Sequence, residues 1–187
     1  MRNFFRLPRK SPGESLAETV IAITILSIIL VSIFQLLARA IKVNENSELR
    51  TIALNVAREG IEGVRNIRDT NWLRYSGDRR NKWLCLGTDC SSKILENTYK
   101  LSYTPPYYTL TVGNSEPLHA DYKIGTSDFY RQLKLKPESD DVCNTALNPC
   151  TENRLNVISR IQWKENDATR EVVLETYLYD FYGRNSY

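Results

Sequence analysis

The stretch TVIAITILSIILVSIFQLLA, residues 19–38, contains no charged residue and consists mainly of Ile, Leu, Val and Ala. It lies within residues 14–59, a segment that contains neither Gly nor Pro, the two residues that most often end helices. A helix of this length would extend roughly 70 Å, and its uncharged part is long enough to cross a hydrocarbon layer about 30 Å thick. The sequence therefore predicts one long helix whose N-terminal part, residues 14–38, lies in a membrane.

The same helix is predicted to become amphipathic over residues 39–70. Apolar residues recur there at intervals of three, four and eight, which places them on one helix face. They are Ile41, Leu49, Ile52, Val56, Val64 and Ile67. Gly60 and Gly63 lie on or beside this stripe, and each weakens a helix by about 1 kcal/mol relative to Ala. Two interpretations are open: a sheet approaches the helix closely at these glycines, or the helix frays there.

Residues 71–187 are predicted to form a β-rich globular domain. All 11 tyrosines follow residue 74, and alternating apolar and polar residues predict strands over 128–136, 154–164 and 169–179. The last two strands form a hairpin, and earlier strands are expected near residues 83–86, 98–103 and 108–112. A helix with one apolar stripe and a sheet with one apolar face should pack together. The predicted fold class is α+β, a long N-terminal helix packed on a C-terminal antiparallel sheet.

The charge distribution predicts the orientation of the helix. The first 13 residues hold four of the 25 basic residues and none of the 22 acidic ones, so the remainder is nearly neutral. Basic residues flanking a membrane helix stay in the cytoplasm, and the C-terminal domain is therefore expected outside it. The near-neutral balance gives no general support for binding a polyanion.

Four cysteines lie in the part of the chain expected outside the cytoplasm, where disulfides persist. They are Cys85, Cys90, Cys143 and Cys150. Three connectivities are possible, and local pairing, Cys85–Cys90 and Cys143–Cys150, is favoured because each pair closes a short loop among turn residues. A four-cysteine zinc site is the alternative, although these spacings are looser than the usual two intervening residues.

The N-terminus carries a family resemblance. A short basic leader ending in Gly13, followed by the residues ESLAE and an Ile-rich helix, resembles the N-terminus of type IV prepilins and pseudopilins. The segment AREGIEGVRNIR, residues 57–68, resembles the helix end of minor pilins of the pilus-modification class. The chain departs from the usual pattern at Glu14, where the family most often has Phe. It also has Ser27 and Gln35 where many pilins carry a helix-loosening Gly and Pro.

The resemblance implies how the chain would be processed and assembled. Residues 1–13 would be a leader removed by a prepilin peptidase between Gly13 and Glu14, with N-methylation of Glu14. The freed amine would pair with Glu18 of a neighbouring subunit, since an unpaired carboxylate is costly in a membrane. The implied partners are other pilin subunits and the assembly platform of a pilus or type II secretion system. The implied location is a single-pass membrane protein that becomes part of a cell-surface filament, as a minor or initiating subunit.

The sequence gives little support for an enzyme, a calcium site or an ordinary secreted protein. His119 is the only histidine and lies in a polar loop, and no nucleophile, phosphate-loop or metalloprotease motif is found, so neither an enzyme nor a cofactor is predicted. The adjacent carboxylates Asp140 and Asp141 are too few for a calcium site. An ordinary secretory signal cleaved at Ala38-Arg39-Ala40 would require an unusually long apolar region.

The alternative to a filament subunit is a membrane-anchored adhesin or DNA-binding module that does not polymerise. Basic residues alternate with aromatic ones over residues 74–83, a pattern that can grip a nucleic-acid backbone and stack bases. The candidate contacts are Arg74, Arg79, Arg80 and Lys82. A solvated charged loop explains the same pattern.

Overall fold

The computed structural model describes residues 12–86, 90–114, 116, 118–139, 153–165 and 168–180. Two helices and a 3-10 turn are present among them, together with seven strands. The helical elements are α1 (Pro12–Arg74), α2 (Arg79–Lys82) and the turn Ala120–Tyr122. The strands are β1 (Cys85–Leu86), β2 (Ser92–Lys93), β3 (Asn97–Thr104), β4 (Tyr107–Val112), β5 (Phe129–Glu138), β6 (Arg154–Glu165) and β7 (Ala168–Tyr179).

The chain divides into two compact units, residues 1–48 and 49–187. In the first unit, every side chain from residue 16 to 45 is exposed. The apolar side chains of this segment therefore have no protein core around them within their own unit. The second unit contains the C-terminal part of α1 and all seven strands.

The main sheet has five antiparallel strands in the order β4-β3-β5-β6-β7, and β1 pairs with β2 in a separate ribbon. Its longest hairpin joins β6 and β7 over twelve residue pairs. The registers place apolar residues on one face, for example Leu135 opposite Val157. The strands predicted from alternation are confirmed, whereas α2, β2 and the 3-10 turn were not predicted, because their two to four residues are too few to show a period.

The C-terminal part of α1 packs against this apolar face, which confirms the α+β prediction. Buried helix residues follow one another at three- and four-residue intervals. This row consists of Ala53, Ala57, Gly60, Val64, Ile67 and Asn71, and the buried Ile61, Gly63, Arg68 and Trp72 flank it. The predicted stripe is right at Val64 and Ile67 but wrong at Ile41 and Ile52, whose side chains are 53% and 39% exposed. Between residues 53 and 60 the small residues Ala53, Ala57 and Gly60 are buried instead, since the helix and sheet lie close together there.

The two glycines in the stripe mark the closest approach of helix and sheet. A Cβ at Gly60 would lie 2.8 Å from Ser159 Oγ, and one at Gly63 would overlap the side chain of Leu101. Neither neighbour could accommodate a methyl group without moving. Of the two interpretations, close approach is the one that the structure confirms.

The core contains two apolar clusters and an ion pair between helix and sheet. The larger cluster includes Val64 and Leu133, and the smaller one includes Ala57 and Trp163. Next to Gly60 lies the buried Arg131, whose Nη1 is 3.3 Å from Glu59 Oε1, an ion pair without hydrogen-bond geometry. This ion pair joins the helix to β5, and because a charged group is costly to bury alone, it favours one register of the helix on the sheet.

Candidate functional site

The N-terminal part of α1 is the first candidate site. Within the described residues, one helix is long and apolar enough to cross a membrane, and its apolar window has no buried residue. Four hydroxyl groups in this segment donate to helix carbonyls three or four residues earlier, at 2.7–2.8 Å. They belong to Thr19, Thr24, Ser27 and Ser32. Because each hydroxyl is satisfied within its own helix, these polar residues are compatible with an apolar surrounding.

The residues implied in processing and assembly lie at the start of the same helix. Gly13 and Glu14 are in its first turn, and Glu18 follows one turn later. Glu18 is exposed and is followed by the uncharged segment 19–38.

One of the two predicted disulfides is present. Cys85 and Cys90 are bonded, with Cα atoms 4.9 Å apart, so these two thiolates are not available as zinc ligands. The buried Asn71 donates from Nδ2 to the carbonyls of Trp83 and Cys85, at 3.2 and 2.9 Å, and so holds this segment against the helix. Cys143 and Cys150 lie outside the described residues, as do Asp140 and Asp141.

His119 has a local structural role. Its Nδ1 accepts a hydrogen bond of 3.2 Å from the backbone N–H of Asp121, which caps the 3-10 turn. The Asp121 carboxylate lies 3.0 Å from the same ring nitrogen. The described residues contain no cluster of three or more His, Cys, Asp or Glu side chains suited to a metal.

Two residues of the predicted basic segment make contacts at the end of α1. Arg79 donates from Nε to the carbonyl of Trp72 at 3.1 Å, near the C-terminal end of α1. The ammonium group of Lys82 lies 4.9 Å from the centre of the Tyr75 ring. The side chain of Arg80 lies outside the described atoms. Two of the four predicted nucleic-acid contacts are therefore engaged in contacts that stabilise the helix end.

The guanidinium of Arg74 lies close to the edge strand β4. Its guanidinium carbon lies 5.2 Å from the centre of the Tyr107 ring, on the edge strand β4. Both residues line a pocket between the end of α1 and this strand. The remaining lining residues are Asn66, Ile67, Thr70, Asn71, Leu86, Tyr108, Thr109 and Leu110.

Sequence analysis did not identify this pocket. Arg74 and Tyr107 are 33 residues apart in the sequence. They meet because the β3–β4 hairpin places β4 beside the helix end. A weak signal existed on the helix, where Asn66, Thr70 and Arg74 recur every four residues and thus form one polar stripe.

Comparison of the chain with protein-family models, with curated proteins and with solved structures finds no match. Its function is therefore inferred from its own residues.

Proposed function

We propose that this protein is the precursor of a subunit of a type IV pilus-like filament, with a minor or initiating role. In this proposal the precursor inserts in the membrane through α1, a prepilin peptidase cleaves it after Gly13, and the N-terminal part of α1 then packs among the helices of other subunits. The C-terminal domain faces the exterior and finally the filament surface.

The observation that carries the proposal is one carboxylate at the edge of the apolar helix. Glu18 is the only acidic residue between Glu14 and Glu45, and the twenty residues that follow it are uncharged. In an apolar surrounding a carboxylate is either protonated or paired with a cation. The α-amino group of a chain beginning at Glu14 is such a cation, and cleavage would thereby be coupled to assembly.

Two further features support this reading over a simple anchor. The helix does not end where the apolar segment ends but runs on as a support for the sheet, up to Arg74. Its apolar part is exposed throughout and has its hydroxyl groups satisfied internally, which suits packing against lipid before assembly and against other helices afterwards.

The experiment compares two charge-removing variants of the helix. Glu18→Gln should be inserted and cleaved as in the wild type, because the amide is easier to insert than a charge, but it should be missing from sheared filament fractions. Glu45→Gln is the matched control, since it removes a carboxylate from the same helix outside the apolar segment, and it should be recovered at wild-type levels. Amino-terminal sequencing of the wild-type protein should give a start at Glu14.

Several results would contradict the proposal. Recovery of Glu18→Gln in filaments at the wild-type level would exclude the pairing. An unprocessed N-terminus at Met1, with neither form in the sheared fraction, would favour the non-polymerising membrane-anchored module. A start at Ile41 would indicate ordinary secretion.

A further inference from the structure

We infer that the free edge of β7 binds an extended peptide segment that carries basic side chains four residues apart. The peptide would add one strand to the main sheet, next to β7. This edge lies entirely within the second unit and is separate from the processing and assembly residues at the start of α1. The inference therefore goes beyond the proposed function and concerns a partner of the C-terminal domain.

The first argument is the length of the unpaired edge. β7 is the last strand of the main sheet, so one side of its backbone has no partner strand among the described residues. Its twelve residues pair with β6 in an unbroken register, and the strand contains no proline, lysine or bulge, the features that usually protect an edge. The opposite edge strand, β4, has only six residues. β7 therefore offers the longer row of backbone donors and acceptors to an added strand.

The second argument is the row of side chains that β7 presents on the sheet face away from α1. Val172 is buried in the smaller cluster together with residues of α1, so the positions that alternate with it face the other way. These positions are Glu171, Val173, Glu175 and Tyr177, and all four are exposed. Along this edge, two carboxylates therefore alternate with two exposed apolar side chains.

The third argument is that neighbouring amides fix both carboxylates but leave them short of cations. Asn156 donates from Nδ2 to Glu175 Oε1 at 2.8 Å, and Gln162 donates from Nε2 to Glu171 Oε2 at 3.2 Å. Both amide residues are more than nine-tenths buried, which limits their movement. Glu175 forms no ion pair with any residue that the structure describes, and the only described cation near Glu171 is Arg160, at 3.9 Å. Basic side chains of an added strand would supply the missing cross-strand partners.

The same charges disfavour a second copy of β7 as the occupant. In an antiparallel pairing of two β7 strands, registers centred on residues 171, 173 or 175 would place carboxylates directly opposite each other. Registers centred on residues 172 or 174 would place them on the diagonal, where long side chains still interact. Arg170, the only basic residue of β7, cannot relieve this repulsion, because it lies on the other face and pairs with Glu165 at 3.0 Å. Charge complementarity favours a basic strand instead.

The test uses the full chain in micelles of an uncharged detergent and three labelled nine-residue peptides. The first alternates Thr with Tyr, Lys, Val and Lys, in the order that complements an antiparallel strand read from Tyr177 back to Glu171. The other two have Gln or Glu in place of both Lys residues. Fluorescence anisotropy, with empty micelles as the blank, should show saturable binding of the lysine peptide with a dissociation constant on the order of 0.1 mM. The glutamine peptide should bind several-fold more weakly, and the glutamate peptide most weakly.

Two double variants separate the β7 edge from a general effect of net charge. Glu171→Gln with Glu175→Gln should lower the affinity for the lysine peptide about fivefold and remove its preference over the glutamine peptide. Glu48→Gln with Glu96→Gln is the matched control, because it removes two exposed carboxylates elsewhere, and it should leave the affinity unchanged. Backbone amide NMR should show peptide-induced shifts centred on β7. Thermal unfolding of each variant establishes that the fold is intact.

Four results would overturn the inference. They are the absence of saturable binding of the lysine peptide, equal binding of the three peptides, an equal loss of affinity in the two double variants, and amide shifts centred on β4. A fifth, self-association through β7 that strengthens in Glu171→Gln with Glu175→Gln, would also overturn it and would assign the edge to a second copy. None of these readouts depends on cleavage after Gly13 or on filament assembly, so failure here is distinct from failure of the proposed function.

Discussion

The two parts of helix α1 differ in the size of the side chains they present. Over residues 19–38 the exposed positions are mostly Ile, Leu and Val. Over residues 53–63 the buried positions are Ala53, Ala57, Gly60, Ile61 and Gly63, four of which are small. An apolar side chain in the first part needs only an apolar solvent, whereas in the second part a sheet already occupies the space. Small side chains at four of the five buried positions therefore distinguish this packing segment, residues 53–63, from the membrane segment, residues 19–38.

The largest expected effect separates a core leucine from an exposed one. Leu133→Ala removes a fully buried side chain from the larger cluster and should lower the free energy of unfolding by about 3 kcal/mol. Leu30→Ala makes the same chemical change in the membrane segment, where Leu30 is 46% exposed, and should leave domain unfolding unchanged. Tryptophan fluorescence during denaturation measures this, because Trp72, Trp83 and Trp163 are all buried in the second unit. An equal loss of unfolding free energy in Leu133→Ala and Leu30→Ala would contradict the distinction between the two parts of the helix.

A smaller effect tests whether the space at Gly63 is filled. Gly63→Ala should destabilise the domain by about 2 kcal/mol, since the new methyl group would overlap Leu101. Gly77→Ala should be close to neutral, because no atom lies within 4 Å of the added Cβ. Thermal unfolding of the two variants measures both changes in stability. If the glycine served only to loosen the helix, Gly63→Ala would instead stabilise by about 1 kcal/mol.

The next prediction compares two carboxylates of the packing segment. Glu59→Gln should lower stability by about 1 kcal/mol, because it weakens the contact to the buried Arg131. Glu62→Gln removes an exposed carboxylate that pairs with Arg65 one turn away, and it should change stability by less than about 0.5 kcal/mol. Urea denaturation of the two variants gives both values. An effect of Glu62→Gln as large as that of Glu59→Gln would contradict the assignment of a register-setting role to Arg131.

The smallest effect concerns acid pH and the domain alone. A hydrogen bond from Lys136, together with the nearby Arg154, holds the pKa of Glu138 below its ordinary value of 4.5. A lowered pKa in the folded state means that the contribution of Glu138 to stability is complete above that ordinary value and is lost as the pH falls through the lowered one. Glu138→Gln should therefore flatten the loss of stability with acid below pH 4.5, whereas Glu96→Gln, at an exposed position, should not.

Periodic features were predictable from the sequence. The long helix and the hairpin of β6 and β7 were found because each repeats its pattern over ten or more residues. The buried positions Leu135 and Val157 followed from the alternation of apolar and polar residues. The orientation of the helix between residues 41 and 57 was not predictable, since the apolar pattern favoured Ile52 while the sheet required the smaller Ala53.

Contacts between distant segments were not predictable. The approach of Arg74 to Tyr107 depends on where the β3–β4 hairpin lies, and no local pattern encodes that position. The burial of Arg131 was not predictable for a similar reason. Nothing in the alternating pattern of its strand indicates that Glu59 lies opposite on the helix. The long helix and the main strands were predictable from the sequence, whereas the pocket arises from the way they pack together.

The amide of Asn71 has a consequence for the chemical ageing of the protein. Hydrolysis of this amide to a carboxylate would remove both donated hydrogen bonds and set an anion against the carbonyl oxygens of Trp83 and Cys85. The reaction usually proceeds by attack of the following backbone nitrogen, which requires a flexible chain and access of water. Asn71 is 2% exposed and lies in a helix, so neither requirement is met while the domain is folded. Hydrolysis of the Asn71 amide should consequently accumulate only in molecules whose domain has unfolded. The resulting carboxylate would then prevent these molecules from refolding.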